Sequence, residues 1–185
     1  MIKVIKHENM GRSDRGWLHS RFHFSCAEYY KPDNLKFGAL RVVNDDRFDP
    51  HGGFGMHPHD NMEIISYVVD GQLTHRDNLG NGSRLERGDV QYMSAGSGIM
   101  HSEYNDTNEP LRFLQIWILP DEKNAEPNYG AHRLDWEDRV GKWTPVATGE
   151  EGFAPNRIPP DMQARVGDIG TDETLYYDPD PARPD

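Results

Sequence analysis

Along the first 120 residues the apolar positions fall in short runs and never in a sustained helical rhythm. ALRVVN (39–44), MEIISYVV (62–69), VQYM (90–93) and RFLQIWI (112–118) are rich in β-branched and aromatic residues and are bounded by turn formers. Each predicts a strand. Between them lie DNLGNG (77–82), ERGD (86–89) and SAGSG (94–98). The first is a strong hairpin-turn signal, because Gly and Asn accept positive φ. Short strands punctuated by Gly-rich turns predict an all-β sandwich or barrel. After Pro120 the pattern weakens. RLDWEDRV (133–140) predicts a turn or two of helix, KWTPVAT (142–148) and QARVGDIG (163–170) predict short strands, and GEEGFAPNRIPPD (149–161) is turn-rich. The terminal YYDPDPARPD offers little to bury and is expected to be extended or disordered. No internal repeat is found.

Charge sharpens this division. Residues 1–120 carry 13 basic and 16 acidic side chains, a net of -3, whereas residues 121–185 carry 7 and 15, a net of -8, together with 8 of the 13 prolines. The expected organisation is therefore a folded domain over 1–120 followed by a looser acidic segment over 121–185. The overall charge of -11 disfavours a general nucleic-acid binder, which needs a basic face to neutralise phosphates. No apolar run approaches the roughly 20 residues of a membrane span, and MIKVIKHENMGRSDRG has no apolar core of a secretory signal. A single cysteine, Cys26, excludes an intrachain disulfide framework and a multi-cysteine zinc site, and fits a reducing cytoplasm.

The candidate chemistry lies in the placement of the histidines. His57-Pro58-His59 sits in GGFGMHPHDNMEIISYV. Alternate residues of an extended strand share a face, so both imidazoles project together as two ligands of one metal would. Pro58 lacks an N–H and belongs at a sheet edge or bulge. His101-Ser102-Glu103 repeats this geometry with one imidazole and one carboxylate. If the two strands are neighbours, His57, His59, His101 and Glu103 converge. Three imidazoles and a carboxylate suit a first-row ion such as Fe, Mn, Co, Ni, Cu or Zn, whereas Ca or Mg would want more oxygens. An isolated His-x-His is common, but the two motifs together, each after a Gly-rich turn, are far more specific. Glu63 reads as a supporting group. His75 and His51 could be nearby hydrogen-bonding groups, with surface histidines as the default reading, Cys26 reads as a small buried hydrophobe, and Phe22, Phe24, Tyr29, Tyr30, Phe113 and Trp117 read as core.

The chain resembles the pirin family of cupins. The resemblance rests on FHFSCAEYYKP, FGALRVVNDD, GGFGMHPHDNMEIISYVVDGQLTHRD, GDVQYMSAGSGIMHSEYN and LQIWILP, in family order from about residue 16 to residue 120. His57, His59 and Glu63 match the first cupin motif, with Gly71 one residue late. Gly88, Gly96, His101 and Asn105 match the second, with Ser94 in place of its proline. The resemblance implies a jelly-roll barrel and metal binding by His57, His59, His101 and Glu103; Fe(II) is the expected ion, with Mn, Co, Ni, Cu or Zn as alternatives. Pirins have two barrels, so residues 121–185 are expected to be a remnant of the second. Some pirin-like proteins open a flavonol ring with O2, which implies a small-molecule substrate and Glu103 as the catalytic base. Others resemble metal- or redox-dependent regulatory proteins, which implies a protein partner instead.

Overall fold

The protein is described by a computed structural model that covers residues 4–149, 156–158 and 162–178. The remaining residues, which include most of 149–161 and the tail from 179, lie outside the described residues, and with them the expectation of a disordered terminus. No helix among the described residues is long and apolar enough to cross a membrane. The chain divides into two compact units, 1–131 and 132–185.

The first unit is built from two sheets. The strands are β1 (Gly11–Asp14), β2 (Leu18–Phe22), β3 (Leu40–Phe48), β4 (Gly53–His59), β5 (Glu63–Asp70), β6 (Gln72–Asp77), β7 (Gly82–Glu86), β8 (Val90–Ser94), β9 (Ile99–Tyr104), β10 (Leu111–Ile118) and β11 (Asn128–His132). The larger sheet has the order β1-β2-β3-β10-β5-β8-β11 and the smaller β4-β9-β6-β7. This is the expected all-β cupin arrangement, with the two sheets not closed into one hydrogen-bonded cylinder. All four strands predicted in the first 120 residues form. DNLGNG turns β6 into β7, and Gly71 links β5 to β6 alone at φ +80, where a Cβ would also lie 2.5 Å from the Pro110 carbonyl oxygen.

The inward face of the larger sheet is layered. Phe48 on β3, Leu111 and Phe113 on β10 and Val68 on β5 join Leu18, Leu73 and Leu85 in one apolar cluster. Phe48 is in edge contact with Trp17, Phe54 and Phe113 at ring separations of 5.0–5.4 Å. Ile64, Met93, Ala95 and Ile99 form a second cluster, with Trp117 and Tyr129 packed against it. Between them runs a polar row. Asn44, Gln115, Ser66 and Gln91 stand opposite one another in register across β3, β10, β5 and β8, and all four are buried. Buried polar groups need partners, and this row faces the candidate site.

The second unit holds β12 (Thr144–Thr148), flanked by β13 (Asn156–Arg157) and β14 (Gln163–Val166). The two strands predicted there form, but RLDWEDRV makes only a single 3-10 turn at Glu137–Arg139. Val140 is already extended and Gly141 takes φ +66, so the turn stops before a helix can nucleate. Buried Arg139 lies over the Trp136 ring at 4.6 Å and donates to the Leu134 carbonyl at 2.8 Å.

Candidate metal centre

Strands β4 and β9 are antiparallel neighbours, with His57 directly opposite His101. β4 is an edge strand of its sheet, which accommodates Pro58, and a register shift between Phe54 and His57 turns the histidines inward. The rings of His57 and His101 are 4.4 Å apart, those of His57 and His59 4.9 Å, and those of His59 and His101 5.0 Å. One nitrogen from each lies within 4.8 Å of the others.

Local hydrogen bonds prepare these rings. His57 Nδ1 lies 2.8 Å from the Gly55 carbonyl oxygen. A carbonyl only accepts, so Nδ1 carries a proton and Nε2 is the ring atom left to face the other histidines. His101 is buried and its Nε2 has no hydrogen-bond partner. An orphaned buried nitrogen is costly unless something else satisfies it. Burial, reinforced by the imidazoles of His57, His59 and His75, pushes His101 down to about 2, and burial with the nearby His57 pushes His59 down to about 4. Both rings are neutral at pH 7 and ready to coordinate. Three converging imidazoles, one of them with a buried unsatisfied nitrogen, fit a divalent transition ion.

Glu103 is placed differently. The structure groups its carboxylate with His101 and His75, not with His57 and His59, although all four expected ligands line the same cavity. Oε1 accepts from Ser66 Oγ at 3.0 Å and Gln91 Nε2 at 2.8 Å, and Oε2 accepts from Gln115 Nε2 at 2.8 Å. Oε1 is thus saturated, and Oε2 keeps one lone pair for a metal or a proton. Burial pushes Glu103 up to about 7, against the lowering effect of these donors. Glu63 stands apart from these groups and accepts from the Tyr92 and Ser94 hydroxyls.

The cavity between the sheets measures about 220 Å³. Phe22, Phe54, Ile64 and Trp117 supply apolar wall, and Asn44 and Asp46 supply polar wall from β3. Oδ1 of Asn44, Oδ1 of Asp46 and Nε1 of Trp117 are buried without hydrogen-bond partners among the described residues. Burial pushes Asp46 up to about 6.

Residues 4–118 match the sequence profile of the Pirin family. The chain belongs to the pirin family. A Pirin-like protein of Caulobacter vibrioides is 49% identical over 179 residues, which are 96% of this chain and 77% of that protein. The quercetin 2,3-dioxygenase of Escherichia coli K12 is 46% identical over 136 residues, 73% of this chain and 59% of that protein. The pirin therefore spans less than two thirds of that dioxygenase. Among solved structures, YhhW of Escherichia coli superposes with a TM-score of 0.82 at 40% identity, over 86% of this chain and 68% of that one. The nickel(II) complex of YhhW gives 0.79 at 40% identity, over 85% and 67%.

Several side chains of this pirin site depart from the sequence reading. His75 is not a surface histidine: it is fully buried, and its ring stacks on Tyr129 at 4.4 Å. It shares strand parity with the core residue Leu73, a signal that was open to reading. His51 is exposed as expected and pairs with Asn108 at 2.9 Å. Tyr30 is not core but 72% exposed. Trp117 lines the cavity edge-on to His59 at 5.0 Å. Cys26 is half-buried at the cavity wall, where it accepts from Asn44 at 3.7 Å. Asn44, Asp46, Ser66, Gln91 and Gln115 were missed, because polar residues at core parity look like breaks in a strand pattern.

Proposed function

We propose that this pirin is a metal-dependent dioxygenase that opens the ring of a flavonol such as quercetin, or of another enolic or catecholic small molecule, with O2. The observation that carries the reading is the convergence of His57, His59 and His101, with His101 Nε2 unsatisfied, on a cavity that also contains Glu103. The proposed ligand set is those three imidazoles and Glu103 through Oε2, with Fe(II) as the ion. The likeness to nickel-bound YhhW supports a divalent ion at this position. Bound there, such an ion supplies Lewis acidity to an enolate oxygen of the substrate.

The chain's own residues do the remainder. Phe22, Phe54, Ile64 and Trp117 offer flat apolar wall for an aromatic ring and exclude water. Asn44 and Asp46 present acceptors to hydroxyl donors, and Trp117 Nε1 presents a donor. Glu103 would take the substrate hydroxyl proton on Oε2 once that atom is released from the metal position, because its one remaining lone pair serves either role but not both at once. The reaction requires no nucleic acid or membrane and is placed in the cytoplasm. Within the acidic segment 121–185, the part beyond β11 is read as the counterpart of a second cupin, a reading supported by the short strands β12–β14.

The test is aerobic loss of the flavonol absorption band with matching O2 uptake by Fe(II)-loaded protein. Glu103→Gln should slow turnover roughly 100-fold or more. Absence of turnover with any divalent ion bound would favour a regulatory binding role.

A further inference from the structure

Outside the ligand set, the smaller sheet carries an ordered chain of polar groups that the proposed reaction does not use. On β6, Leu73, His75 and Asp77 share the inward face. In register, His75 stands opposite Glu103 and Asp77 opposite His101. His75 Nε2 lies 3.5 Å from Asp77 Oδ2, and His75 Nδ1 lies 3.4 Å from His101 Nδ1. The side chains of His75 and Asp77 are fully buried.

The direction of this chain follows from its far end. Asp77 accepts from the Leu79 and Asn81 backbone N–H groups and from Asn81 Nδ2, each at 2.9 Å. With three N–H donors already aimed at its oxygens, Asp77 acts as an acceptor in this chain. An oxygen pair that only accepts takes its fourth hydrogen bond from His75 Nε2–H. With its proton on Nε2, the His75 ring turns its other nitrogen, Nδ1, toward His101 Nδ1 as the acceptor of that 3.4 Å contact. His101 must donate from Nδ1, and its lone pair is left on Nε2, the atom that lacks a partner.

We propose that His75 and Asp77 are positioning residues, which fix His101 in the Nδ1–H tautomer and so aim its Nε2 lone pair at the metal position. The aromatic face of Tyr129, stacked on His75 at an interplanar angle of 10°, holds the relay ring in place. The tautomer is a property of the metal-free chain; only its consequence for affinity rests on the metal reading of the site.

The experiment is long-range 1H–15N correlation of histidine-labelled, metal-free protein, paired with Ni2+ calorimetry. Wild-type His101 should show its proton on Nδ1 and His75 on Nε2. His75→Phe preserves a ring against Tyr129 but removes the acceptor, so His101 should populate both tautomers and Ni2+ should bind about 10- to 100-fold more weakly. His75→Asn restores an acceptor near the Nδ1 position and should recover most of both. His101 carrying its proton on Nε2 in the wild type would overturn the proposal, even if the variants fail to fold. Equal, severe losses in both variants would also overturn it, by making His75 a ligand. If the wild type shows the expected tautomers but binds no Ni2+, the relay stands and the metal reading fails.

Discussion

At the residue scale, Glu103 has the most demanding position. It is 1% exposed, and its three donors come from the opposite sheet, on β5, β8 and β10. Its pKa rises from 4.5 to about 7 on folding. The folded state therefore binds its proton more tightly than the unfolded state. The associated stability is fully present below pH 4.5 and is lost as pH rises through 7. Metal-free wild type should lose roughly 3 kcal/mol relative to Glu103→Gln across that window. Urea unfolding at a series of pH values checks this, and parallel pH profiles for the two proteins would contradict it. The sequence showed Glu103 as a metal-ligand candidate through its i, i+2 spacing from His101. It could not show the donors, because Ser66, Gln91 and Gln115 meet the carboxylate only through strand register across a sheet.

At the element scale, β4 and β9 must lie close for the histidines to meet. Gly53 allows it: a Cβ there would sit 2.5 Å from the Glu103 carbonyl oxygen and 2.7 Å from Tyr104 Cα, both backbone atoms. Gly53→Ala should push the strands apart, with a loss of about 1–3 kcal/mol in stability and weaker metal binding, measured by denaturation and calorimetry. Normal metal affinity in that variant would show that the strand spacing is not critical. Phe48, fully buried among Trp17, Phe54 and Phe113, supports the same end of β4. Phe48→Ala should cost about 3–5 kcal/mol in chemical denaturation. Most strands were legible because alternation and turn residues agree in this half of the chain. Of the turn or two of helix expected at 133–140, one 3-10 turn forms, and it ends as Val140 becomes extended and Gly141 takes positive φ.

At the scale of the whole molecule, the four proposed ligands, the cavity and the relay to Asp77 all belong to the unit 1–131. The charge break near Pro120 marks a change in composition, whereas β11 still joins the larger sheet and brings Tyr129 against His75. Composition alone could not register that, since a five-residue strand adds almost nothing to a charge count. An ion held by this unit should stabilise the folded chain by mass action, by about 2.7 kcal/mol at a hundredfold excess over Kd. Chelation should reverse the rise in Tm. The most direct test is elemental analysis of protein purified without chelators, alongside His57→Ala and His101→Ala. The account predicts one divalent transition ion per wild-type chain and its loss in both variants. A folded wild type without stoichiometric metal, or metal retained by the variants, would contradict it.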